Sequence, residues 1–546
     1  MVALENGRSA GGIVPGVTAL GGAIALLVGA PLAWLAVEAI GARSADIFGA
    51  GHLLTYLLNS LVLGGGVALL AGIIGTITAA LVSLTEFPGR GLLERALVLP
   101  LAAPAYILAY AYSQFLQHSG PVQTLLRAAT GWGPRDYWFP DIRSLPGAIL
   151  IFALVLYPYV YLLLRAAFLE QSPALFDAAR SLGRRPLQAF LAVSLPLARP
   201  ALVAGLALAV METLADFGVV SHFGIQTFTT AIYEAYAFLG DRPLAAALAL
   251  TLLGIVGLLL VLERADRGRA ATRTTAPARE RARIALKGVP AVAAFATCAL
   301  PVLLGAALPA AILFGLAIPY GHDLLSTRYA ALLSNTLLLG ILGAAVVVTI
   351  GLVLAYAGRA ARGPLARVAL GVSVVGYAIP GSVIAIAVLA PLAALDNLAN
   401  LWAGELFGAR LGLFLTGSIV ALVYAYAVRF AMIGTRASAA SLQRITPAID
   451  QAARTLGRSE LGVLRDIHAP MLRGSLMASA LIVFVEIVKE LPATLILRPF
   501  NFDTLAIQVY RLAADERLAE ASSGALAILG LGLVSVFFLM RTISRR

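Results

Sequence analysis

The sequence predicts an all-α integral membrane protein with about twelve transmembrane helices, arranged as two parallel repeats of six. Three observations support this prediction: the composition, the positions of the arginines and an internal repeat. Of the 546 residues, 60% are apolar and 12% are charged, and the mean hydropathy is +0.90. Soluble chains have about 45–50% apolar and about 25% charged residues. We therefore expect the apolar side chains of this protein to be buried in a bilayer.

The composition also excludes several kinds of active site. Cys298 is the single cysteine, and the five histidines are scattered, so neither a disulfide framework nor a tightly bound metal is predicted. The two lysines, Lys287 and Lys489, follow leucine and valine and do not belong to a Gly-Lys-Ser/Thr phosphate-binding loop. The chain is therefore not predicted to be an enzyme. It should carry no cofactor of its own, and any ATP and magnesium would be bound by a partner.

Apolar runs long enough for transmembrane helices, about 20 residues each, occur in two sets of six. The first set is predicted near 13–40, 53–84, 91–116, 146–169, 190–217 and 242–262. The second set is predicted near 288–318, 330–357, 364–395, 411–433, 474–497 and 521–540. The segment 263–287 between the sets is basic and has no apolar period, which predicts a cytoplasmic linker. The resulting domains are an N-terminal half (1–262), the linker (263–287) and a C-terminal half (288–546).

The positive charges predict the orientation of these helices. If both termini are cytoplasmic, the cytoplasmic segments contain 29 of the 40 lysines and arginines. Basic residues accumulate on the cytoplasmic side of membrane proteins, so we predict a multi-pass protein with both termini in the cytoplasm. The net charge of +12 is explained by this orientation and by the anionic lipid bilayer, and nucleic acid is not a predicted partner.

The two halves repeat each other in sequence. AARSLGR at 178–184 matches AARTLGR at 452–458, an offset of 274, and the sequence Asn59-Ser60-Leu61 matches Asn335-Thr336-Leu337 at an offset of 276. Because each half has an even number of spans, both halves insert in the same direction. They should be related by a pseudo-two-fold axis along the membrane normal, with the transport pathway at their interface.

The longest well-matched segments are two loops, 171–202 and 444–476, which we call the first and second motif loops. Each is predicted to contain a short helix with two adjacent alanines, a turn at Gly183 or Gly457, and a second helix that enters the membrane. Small residues on an exposed helix allow a partner surface to approach closely. The arginine after each glycine could bind acidic groups of that partner.

This pattern, an acidic residue and two alanines followed by a glycine and, 13 positions later, a proline, resembles the coupling-loop motif of ABC importer permeases of the binding-protein-dependent type. The resemblance covers nearly the whole chain, twice, with departures such as neutral Gln451 at the acidic position of the second copy. The matching residues of the first copy are Asp177, Ala178, Ala179, Gly183, Arg184 and Pro196. Those of the second copy are Gln451, Ala452, Ala453, Gly457, Arg458 and Pro470.

The resemblance implies a type I ABC importer permease fold in the inner membrane of a bacterial cell. It further implies two copies of an ABC ATPase subunit, each holding one motif helix, and an extracytoplasmic substrate-binding protein. Strings such as LPLAAPAYILAYAYSQFL (99–116) and METLADFGVVSHFGIQTFTTAIY (211–233) are similar to ferric iron permeases. Thiamine permeases share the fused plan and are an alternative. A twelve-span carrier driven by an ion gradient is an alternative from another class.

Four carboxylates are predicted near bilayer depth in spans five and eleven, where a charge is costly. Glu212 and Asp216 share one helix face, and Glu486 and Glu490 share the equivalent face of the repeat. They could line a pathway for a cation such as Fe³⁺, which prefers oxygen ligands. They could instead be neutral or paired, for example with Lys489, or lie at the outer headgroup level.

Aromatic residues supply further candidates for substrate or partner contact. Tyrosines near both membrane interfaces are explained by an aromatic belt, but some could contact the substrate. The outer loop 117–145 is the longest predicted external segment and could dock a soluble binding protein. The candidate tyrosines are Tyr106, Tyr110, Tyr112, Tyr157, Tyr159 and Tyr161.

Overall fold

The computed structural model describes residues 15–42, 52–270, 283–321, 326–360, 376, 379–443, 445–458 and 460–544. Among these residues, ten helices are long and apolar enough to cross a membrane, and there are up to twelve spans if each of two bent helix pairs counts as one. The prediction of an all-α membrane protein with about twelve spans is confirmed.

The elements of the N-terminal half follow the predicted spans closely. The first six helices and one strand are α1 (Pro15–Ala39), α2 (His52–Leu84), β1 (Thr85–Glu86), α3 (Arg90–Ala96), α4 (Ala105–Leu116), α5 (Pro121–Thr130) and α6 (Leu145–Glu170). They are followed by α7 (Pro173–Ser181), α8 (Pro186–Ala189), α9 (Leu195–Leu197), α10 (Arg199–Ala215), α11 (Gly218–His222), α12 (Phe228–Ala237) and α13 (Arg242–Ala270). A 3₁₀ turn (Leu99–Ala102) precedes α4, and a π-helical turn (Phe190–Ser194) joins α8 to α9.

The C-terminal half begins with a short strand from the linker. Its elements are β2 (Ile284–Ala285), α14 (Val289–Val302), α15 (Leu308–Tyr320), α16 (Thr327–Ala360), α17 (Gly381–Phe407), α18 (Ile419–Leu442) and α19 (Pro447–Thr455). The remaining helices are α20 (Glu460–Val463), α21 (Ala469–Val488), α22 (Pro492–Leu497), α23 (Leu505–Ala514) and α24 (Leu518–Ser544). π-helical turns at Leu303–Ala307 and Leu464–His468 join α14 to α15 and α20 to α21.

Spans three and five are bent within the N-terminal half. The helix pair Arg90–Ala102 and Ala105–Thr130 bends by 91°, and the pair Pro186–Leu197 and Arg199–Ala215 bends by 71°. The first bend lies where Pro104 caps α4 from an extended conformation. A proline restricts the residue before it to extended backbone, so the helix cannot continue through Ala103.

Three spans of the C-terminal half begin or end elsewhere than predicted. Span nine was expected at 364–395, but its described helix is Gly381–Phe407, and residues 361–375 lie outside the described part of the chain. Span ten begins at Ile419 and not at 411, because the apolar stretch before it is a loop that binds Asp396 through the backbone amides of Leu415 and Thr416, both at 2.9 Å. Span eleven was expected to reach 497, but its helix ends at Val488, so Glu486 lies within the helix and Lys489 and Glu490 follow it.

The chain forms two compact units whose membership differs from the two sequence halves. One unit comprises the described residues of Met1–Val37, Ser334–Phe502 and Phe537–Arg546, and the other comprises those of Glu38–Leu333 and Asp503–Val536. Each unit therefore contains the first span of the opposite half. The division of the sequence into halves at the linker stays a prediction about the repeat.

In the first unit, α1 packs on helices of the C-terminal half. Ala25 forms a small buried cluster with Leu354 of α16. The hydroxyl of Tyr424 in α18 donates a hydrogen bond of 2.5 Å to the carbonyl of Leu27. This hydrogen bond fixes the position of the otherwise apolar helix α1 against α18.

In the second unit, α14 and α15 pack on helices of the N-terminal half. The hydroxyl of Tyr112 in α4 donates to the carbonyl of Leu304 at 2.6 Å. A Cβ at Gly305 would lie 2.7 Å from the carbonyl oxygen of Leu154, which shows how closely the two backbones approach. Membrane helices associate through such small-residue contacts, because lipid removes the hydrophobic drive between helices.

The repeat is visible in one helix crossing that both units contain. A Cβ at Gly75 of α2 would lie 2.7 Å from Cβ of Val160 in α6. At the equivalent crossing, Gly351 of α16 lies against the backbone of Gly434 in α18. Gly75 and Gly351 differ by 276 positions, and Val160 and Gly434 differ by 274. The two halves therefore use the same close contact between their second and fourth spans.

We predict that Gly75→Leu destabilises the protein by at least about 2 kcal/mol, because overpacking a tight crossing displaces both helices. The measurement is the thermal unfolding of the purified protein in detergent. Gly65→Leu, on the same helix, is the control, since a Cβ at Gly65 meets nothing within 4 Å. Equal unfolding temperatures of the two variants would contradict the proposed role of the crossing.

Candidate functional site

The two motif loops fold in the same way. In the first, α7 is followed by Gly183, by α8 and by the π-helical turn Phe190–Ser194. In the second, α19 is followed by Gly457, by α20 and by the π-helical turn Leu464–His468. The two π-helical turns lie at the same offset of 274 residues. Such turns are rare and are often found at functional sites.

Each motif helix ends in a Schellman turn that requires its glycine. Gly183 is left-handed with φ of 84°, and the amide of Arg184 donates to the carbonyl of Ala179 at 3.2 Å. Gly457 has φ of 76°, and the amide of Arg458 donates to the carbonyl of Ala453 at 3.1 Å. Glycine takes this conformation without strain. The turn reverses the chain and exposes the end of each motif helix.

The two alanines of each motif have different environments. The first alanine is exposed in both loops, whereas the second is buried in both. Ala179 packs with Phe176 and Ala189 of its own loop. The exposed motif residues are Asp177, Ala178, Gly183, Arg184 and Pro196 in the first loop and Gln451, Ala452, Gly457, Arg458 and Pro470 in the second. Arg458 already forms an ion pair of 2.9 Å with Asp466 of its own loop, and the contact of these exposed residues with an ATPase stays a prediction.

A pair of leucines beside the glycines was not singled out by the sequence analysis. Leu182 and Leu456 directly precede Gly183 and Gly457, and their side chains are 84% and 83% exposed. An apolar side chain held outward at both equivalent positions is typical of a contact surface. The sequence Leu-Gly-Arg, which occurs in both motif loops, could have indicated these two leucines.

The first motif loop is braced by the end of the linker. Strands β1 and β2 pair in parallel, with Thr85 opposite Ile284, and the amide of Leu286 donates to the carbonyl of Glu86 at 2.9 Å. Ile284 also packs against the buried cluster of Phe176, Ala179 and Ala189. The linker was predicted as a simple connector, but its last residues contact the loop that contains the motif.

The rest of the linker divides into two parts. Its first residues continue α13 as far as Ala270, and residues 271–282 lie outside the described part of the chain. Arg283 forms an ion pair of 3.4 Å with Glu86. The segment 283–287 is therefore attached to the loop between spans two and three by backbone and side-chain contacts.

The second motif loop is supported differently. Arg359 of α16 donates to the carbonyls of Leu442 at 2.7 Å and of Ile445 at 3.2 Å, just before α19. The hydroxyl of Tyr356 is hydrogen-bonded to Nδ1 of buried His468, in the π-helical turn. The arginine side chain thus satisfies carbonyls at a helix C-terminus and fixes the start of the loop.

The carboxylates of Asp216 and Glu490 occupy equivalent breaks in spans five and eleven. Asp216 Oδ1 accepts a hydrogen bond of 2.8 Å from the amide of Val219, at the start of α11. Glu490 accepts from the amides of Ala493 at 3.0 Å and Thr494 at 2.9 Å, at the start of α22. Each carboxylate caps the short helix that follows its break.

The C-terminal half pairs its intramembrane carboxylates with cations. Arg429 of α18 forms an ion pair of 2.8 Å with buried Glu490. Lys489 forms one of 2.8 Å with Glu486. Arg429 had been counted among the cytoplasmic charges and was missed, although an arginine within the apolar run VYAYAVRFAMIG is itself a signal. Structural pairing is therefore present for Glu486 and Glu490, and the pathway role of all four carboxylates stays a prediction.

The described residues contain no group of three or more histidine, cysteine, aspartate and glutamate side chains that could hold a metal ion. Within the described ranges, a resident metal centre made of these residue types is therefore not found.

The predicted outer loop is attached to the loop between α23 and α24. The two terminal guanidinium nitrogens of Arg143, Nη1 and Nη2, donate to the carboxylate of Glu516 at 2.7 and 2.9 Å. This contact holds the pKa of Glu516 below its ordinary value, through the hydrogen bond and the charge of Arg143, although partial burial opposes the shift. Trp138 of the same loop is exposed. The docking of a binding protein on this surface stays a prediction.

Comparison with known proteins adds the following. The family described as "binding-protein-dependent transport system inner membrane component" matches twice, at residues 68–268 and 347–546. An Fe(3+)-transport system permease protein of Haemophilus influenzae is 24% identical, covering 91% of this chain and 92% of that protein. A sulfate transport system permease protein of Salmonella typhimurium is 28% identical over 35% of this chain and 67% of its own length. An inner membrane ABC transporter permease protein of Escherichia coli is 30% identical over 30% of this chain and 56% of its own length.

We predict that Ile284→Asp loosens the first motif loop, because it places a carboxylate against the apolar cluster around Phe176. The expected cost is about 1–3 kcal/mol of local stability. Amide hydrogen exchange should accelerate both at 284–286 and across α7. Ala285→Asp is the control, since Ala285 is on the exposed side of the same strand. Unchanged exchange across α7 in Ile284→Asp would show that the linker does not brace the loop.

We also predict a pH dependence at the contact between Arg143 and Glu516. Because the pKa of Glu516 is lowered in the folded protein, its stabilising effect is complete above the ordinary glutamate pKa of about 4.3. The effect is lost as the pH falls through the lower, folded value. The Glu516 side chain is 63% exposed, so the effect should stay below about 1 kcal/mol.

The pH dependence of this contact is measured as the hydrogen-exchange protection of residues 141–147, corrected for the intrinsic pH dependence of exchange. Glu516→Gln should reduce protection at neutral pH and should equal the unmodified protein in strong acid. A constant difference at every pH would contradict the assigned role of the carboxylate.

Proposed function

The chain belongs to the binding-protein-dependent family of ABC importer permeases, and we propose that the substrate it moves is ferric iron. Proteins of this family work with an ATPase and a substrate-binding protein, so this chain is the multi-pass membrane subunit of such an importer. The ion-gradient-driven alternative loses its support, since the motif loops belong to a family whose transport uses a separate ATPase.

One observation carries the proposal of iron. The match to the Fe(3+)-transport permease extends over 91% of this chain and includes both halves, whereas the sulfate relative covers 35% of it. The fused arrangement and the iron-permease likeness thus occur in the same relative. Carboxylate and phenol oxygens at intramembrane positions are also suitable ligands for a hard cation.

We propose that each motif loop docks one ATPase subunit, giving two copies per chain. The support is that both loops have the same helix, the same Schellman turn and the same exposed positions. Leu182 and Leu456 would enter apolar sites of the ATPase. Arg184 would meet acidic groups there, and Arg458 would do so by exchanging its ion pair with Asp466. Because Asp177 of the first loop corresponds to neutral Gln451, the two docking contacts need not be equally strong.

The proposed orientation places both motif loops and both termini in the cytoplasm of a bacterial cell, with the protein in the inner membrane. The distribution of lysine and arginine supports this orientation. The loop 117–145 would then face the substrate-binding protein on the other side. Glu212 and Asp216 are proposed to line the pathway, whereas the cation pairs of Glu486 and Glu490 favour a structural role for those two.

The proposal is tested by reconstituting the permease in liposomes with its ATPase. ATP hydrolysis is measured with an iron-loaded and with a thiamine-loaded binding protein. We expect stimulation by the iron-loaded protein and none by the thiamine-loaded one. Stimulation by the thiamine-loaded binding protein and not by the iron-loaded one would overturn the assignment of iron. ATP hydrolysis that responds to neither binding protein would overturn both iron and thiamine as substrates.

We predict that Gly183→Val and Gly457→Val each remove one ATPase copy and that the double variant removes both. A β-branched residue in the left-handed region costs about 1–2 kcal/mol or more, so the Schellman turn should open and the motif helix should lose its exposed end. Native mass spectrometry of the purified complex counts the copies. Gly65→Val, in an open position on a membrane helix, should retain two copies. Two copies bound to the double variant would contradict docking through these turns.

A further inference from the structure

A cluster of phenol, imidazole and carboxylate groups surrounds the break in span five, within a single compact unit. The rings of Tyr106 and Tyr110 on α4 are 5.6 Å apart, and the ring of His222 on α11 meets Tyr110 edge-on at 4.7 Å. Nε2 of His222 is 3.1 Å from the hydroxyl of Ser113. The remaining member is Tyr510 of α23, whose hydroxyl is 3.4 Å from that of Ser221.

The hydroxyl of Tyr110 is the unexplained group of this cluster. The residue is 3% exposed, and its hydroxyl has no hydrogen-bond partner among the described residues. The break beside Asp216 lies against the same tyrosines, since a Cβ at Gly218 would lie 2.6 Å from Cβ of Tyr106 and the ring of Phe217 is 5.7 Å from that of Tyr510. A buried hydroxyl without a partner costs free energy, and such groups in folded proteins often have a functional explanation.

The cluster lies where the backbone leaves the helix. Helix α10 ends at Ala215, Asp216 is extended, and α11 begins at Gly218. At membrane depth, non-helical backbone is tolerated where it is buried in protein or lines a cavity. Broken helices of this kind form the substrate sites of many transporters, and an ionisable group there suggests a functional site.

Apart from Tyr510, the members of the cluster belong to the N-terminal half, and comparison of the two repeats shows that their counterparts differ. Glu490, the counterpart of Asp216, is neutralised by Arg429. Helix α6 begins after Ser144 and helix α18 begins after Ser418, which is 274 positions later in the chain. At this offset, the residue of the first half that corresponds to Arg429 is Val155. The first half therefore lacks the arginine that compensates the carboxylate in the second.

The other ligand positions diverge in the same direction. At the offsets of 276 and 274, Tyr106 and Tyr110 correspond to Ser382 and Ile386, and His222 corresponds to Ile496. At these three positions, the half that has the compensating arginine has neither a phenol nor an imidazole. The N-terminal half, which has Tyr106, Tyr110 and His222, has Val155 and no arginine at the position equivalent to Arg429. This correlated difference is expected if the first half must accommodate a cation that arrives from outside.

We propose that Asp216, Tyr110 and His222, with Tyr106 and Tyr510 beside them, form a transit site for a hard cation. If the proposed function is right, on which this identification of the ion rests, the cation is ferric iron. Carboxylate and phenolate oxygens are hard ligands, and imidazole also binds iron. The phenol releases its proton to solvent when it binds the metal. Asp216 precedes α11, His222 is its last residue and Tyr110 lies on α4, and a site with so few ligands suits an ion that must bind and then leave.

The experiment uses the full-length chain in lipid nanodiscs, titrated with ferric nitrilotriacetate. A phenolate bound to ferric iron gives a visible charge-transfer absorption that carboxylate-bound iron lacks. We expect this band in the unmodified protein. Tyr110→Phe should abolish or strongly reduce it, and Asp216→Asn should weaken iron binding at least about tenfold. The asparagine oxygen can still accept the hydrogen bond from Val219, so the helix cap survives.

Tyr157→Phe is the matched control. Tyr157 is also buried, its hydroxyl also has no partner among the described residues, and its electrostatic neighbours are Tyr161 and Cys298. This variant should retain the full band. Circular dichroism and thermal unfolding of all variants establish that they fold, and removal of a hydroxyl that makes no hydrogen bond should not destabilise Tyr110→Phe.

The outcomes separate this inference from the proposed function. No band in the unmodified protein, or a band that Tyr110→Phe leaves intact, overturns the transit site even if iron stimulates ATP hydrolysis by the reconstituted importer. A band that Tyr110→Phe removes supports the site. If iron then fails to stimulate hydrolysis, it is the proposed function that is wrong, while the cation site stands.

Discussion

The need to satisfy every backbone polar group away from water governs this structure. A continuous helix meets that need by itself, but spans three and five are bent and spans five and eleven end in short helices at a break. The first amides of the short helices that follow the breaks in spans five and eleven need an acceptor from outside those helices. Asp216 and Glu490 supply it, by accepting hydrogen bonds from the amides of α11 and α22. The same carboxylates that make the breaks possible are therefore the ones that bring charge into the membrane.

Duplication and divergence account for what differs between the halves. The contacts that set the backbone are preserved, as the crossing at Gly75 and its counterpart at Gly351 shows. The side chains around the breaks are not preserved, since Arg429 compensates the carboxylate of one half and a valine occupies the equivalent place in the other. The supports of the motif loops diverge in the same way, with a linker strand at one and Arg359 at the other.

Much of the architecture could be predicted from the sequence, because length, hydropathy and the repeat are local or periodic signals. The spans, the motif loops and the glycine turns were predicted in this way. Span ten was placed too early, since the stretch before Ile419 is apolar but is held as a loop by Asp396. Ile284 and Arg429 were missed because their importance depends on partners distant in sequence, Phe176 and Glu490. Such pairings are set by tertiary packing, which a single sequence does not encode in any short pattern.

The membership of the two compact units also has a consequence for how the chain is made. Helix α1 leaves the ribosome before α16 and α18, which carry Leu354 and Tyr424, the residues that contact it in the folded protein. These two contacts can form only after the whole N-terminal half has been synthesised. The compact unit that contains α1 therefore cannot be completed half by half, and a nascent chain arrested before α16 would hold α1 in the membrane without them. Biogenesis requires that α1 remain inserted through the synthesis of most of the residues between it and these partners.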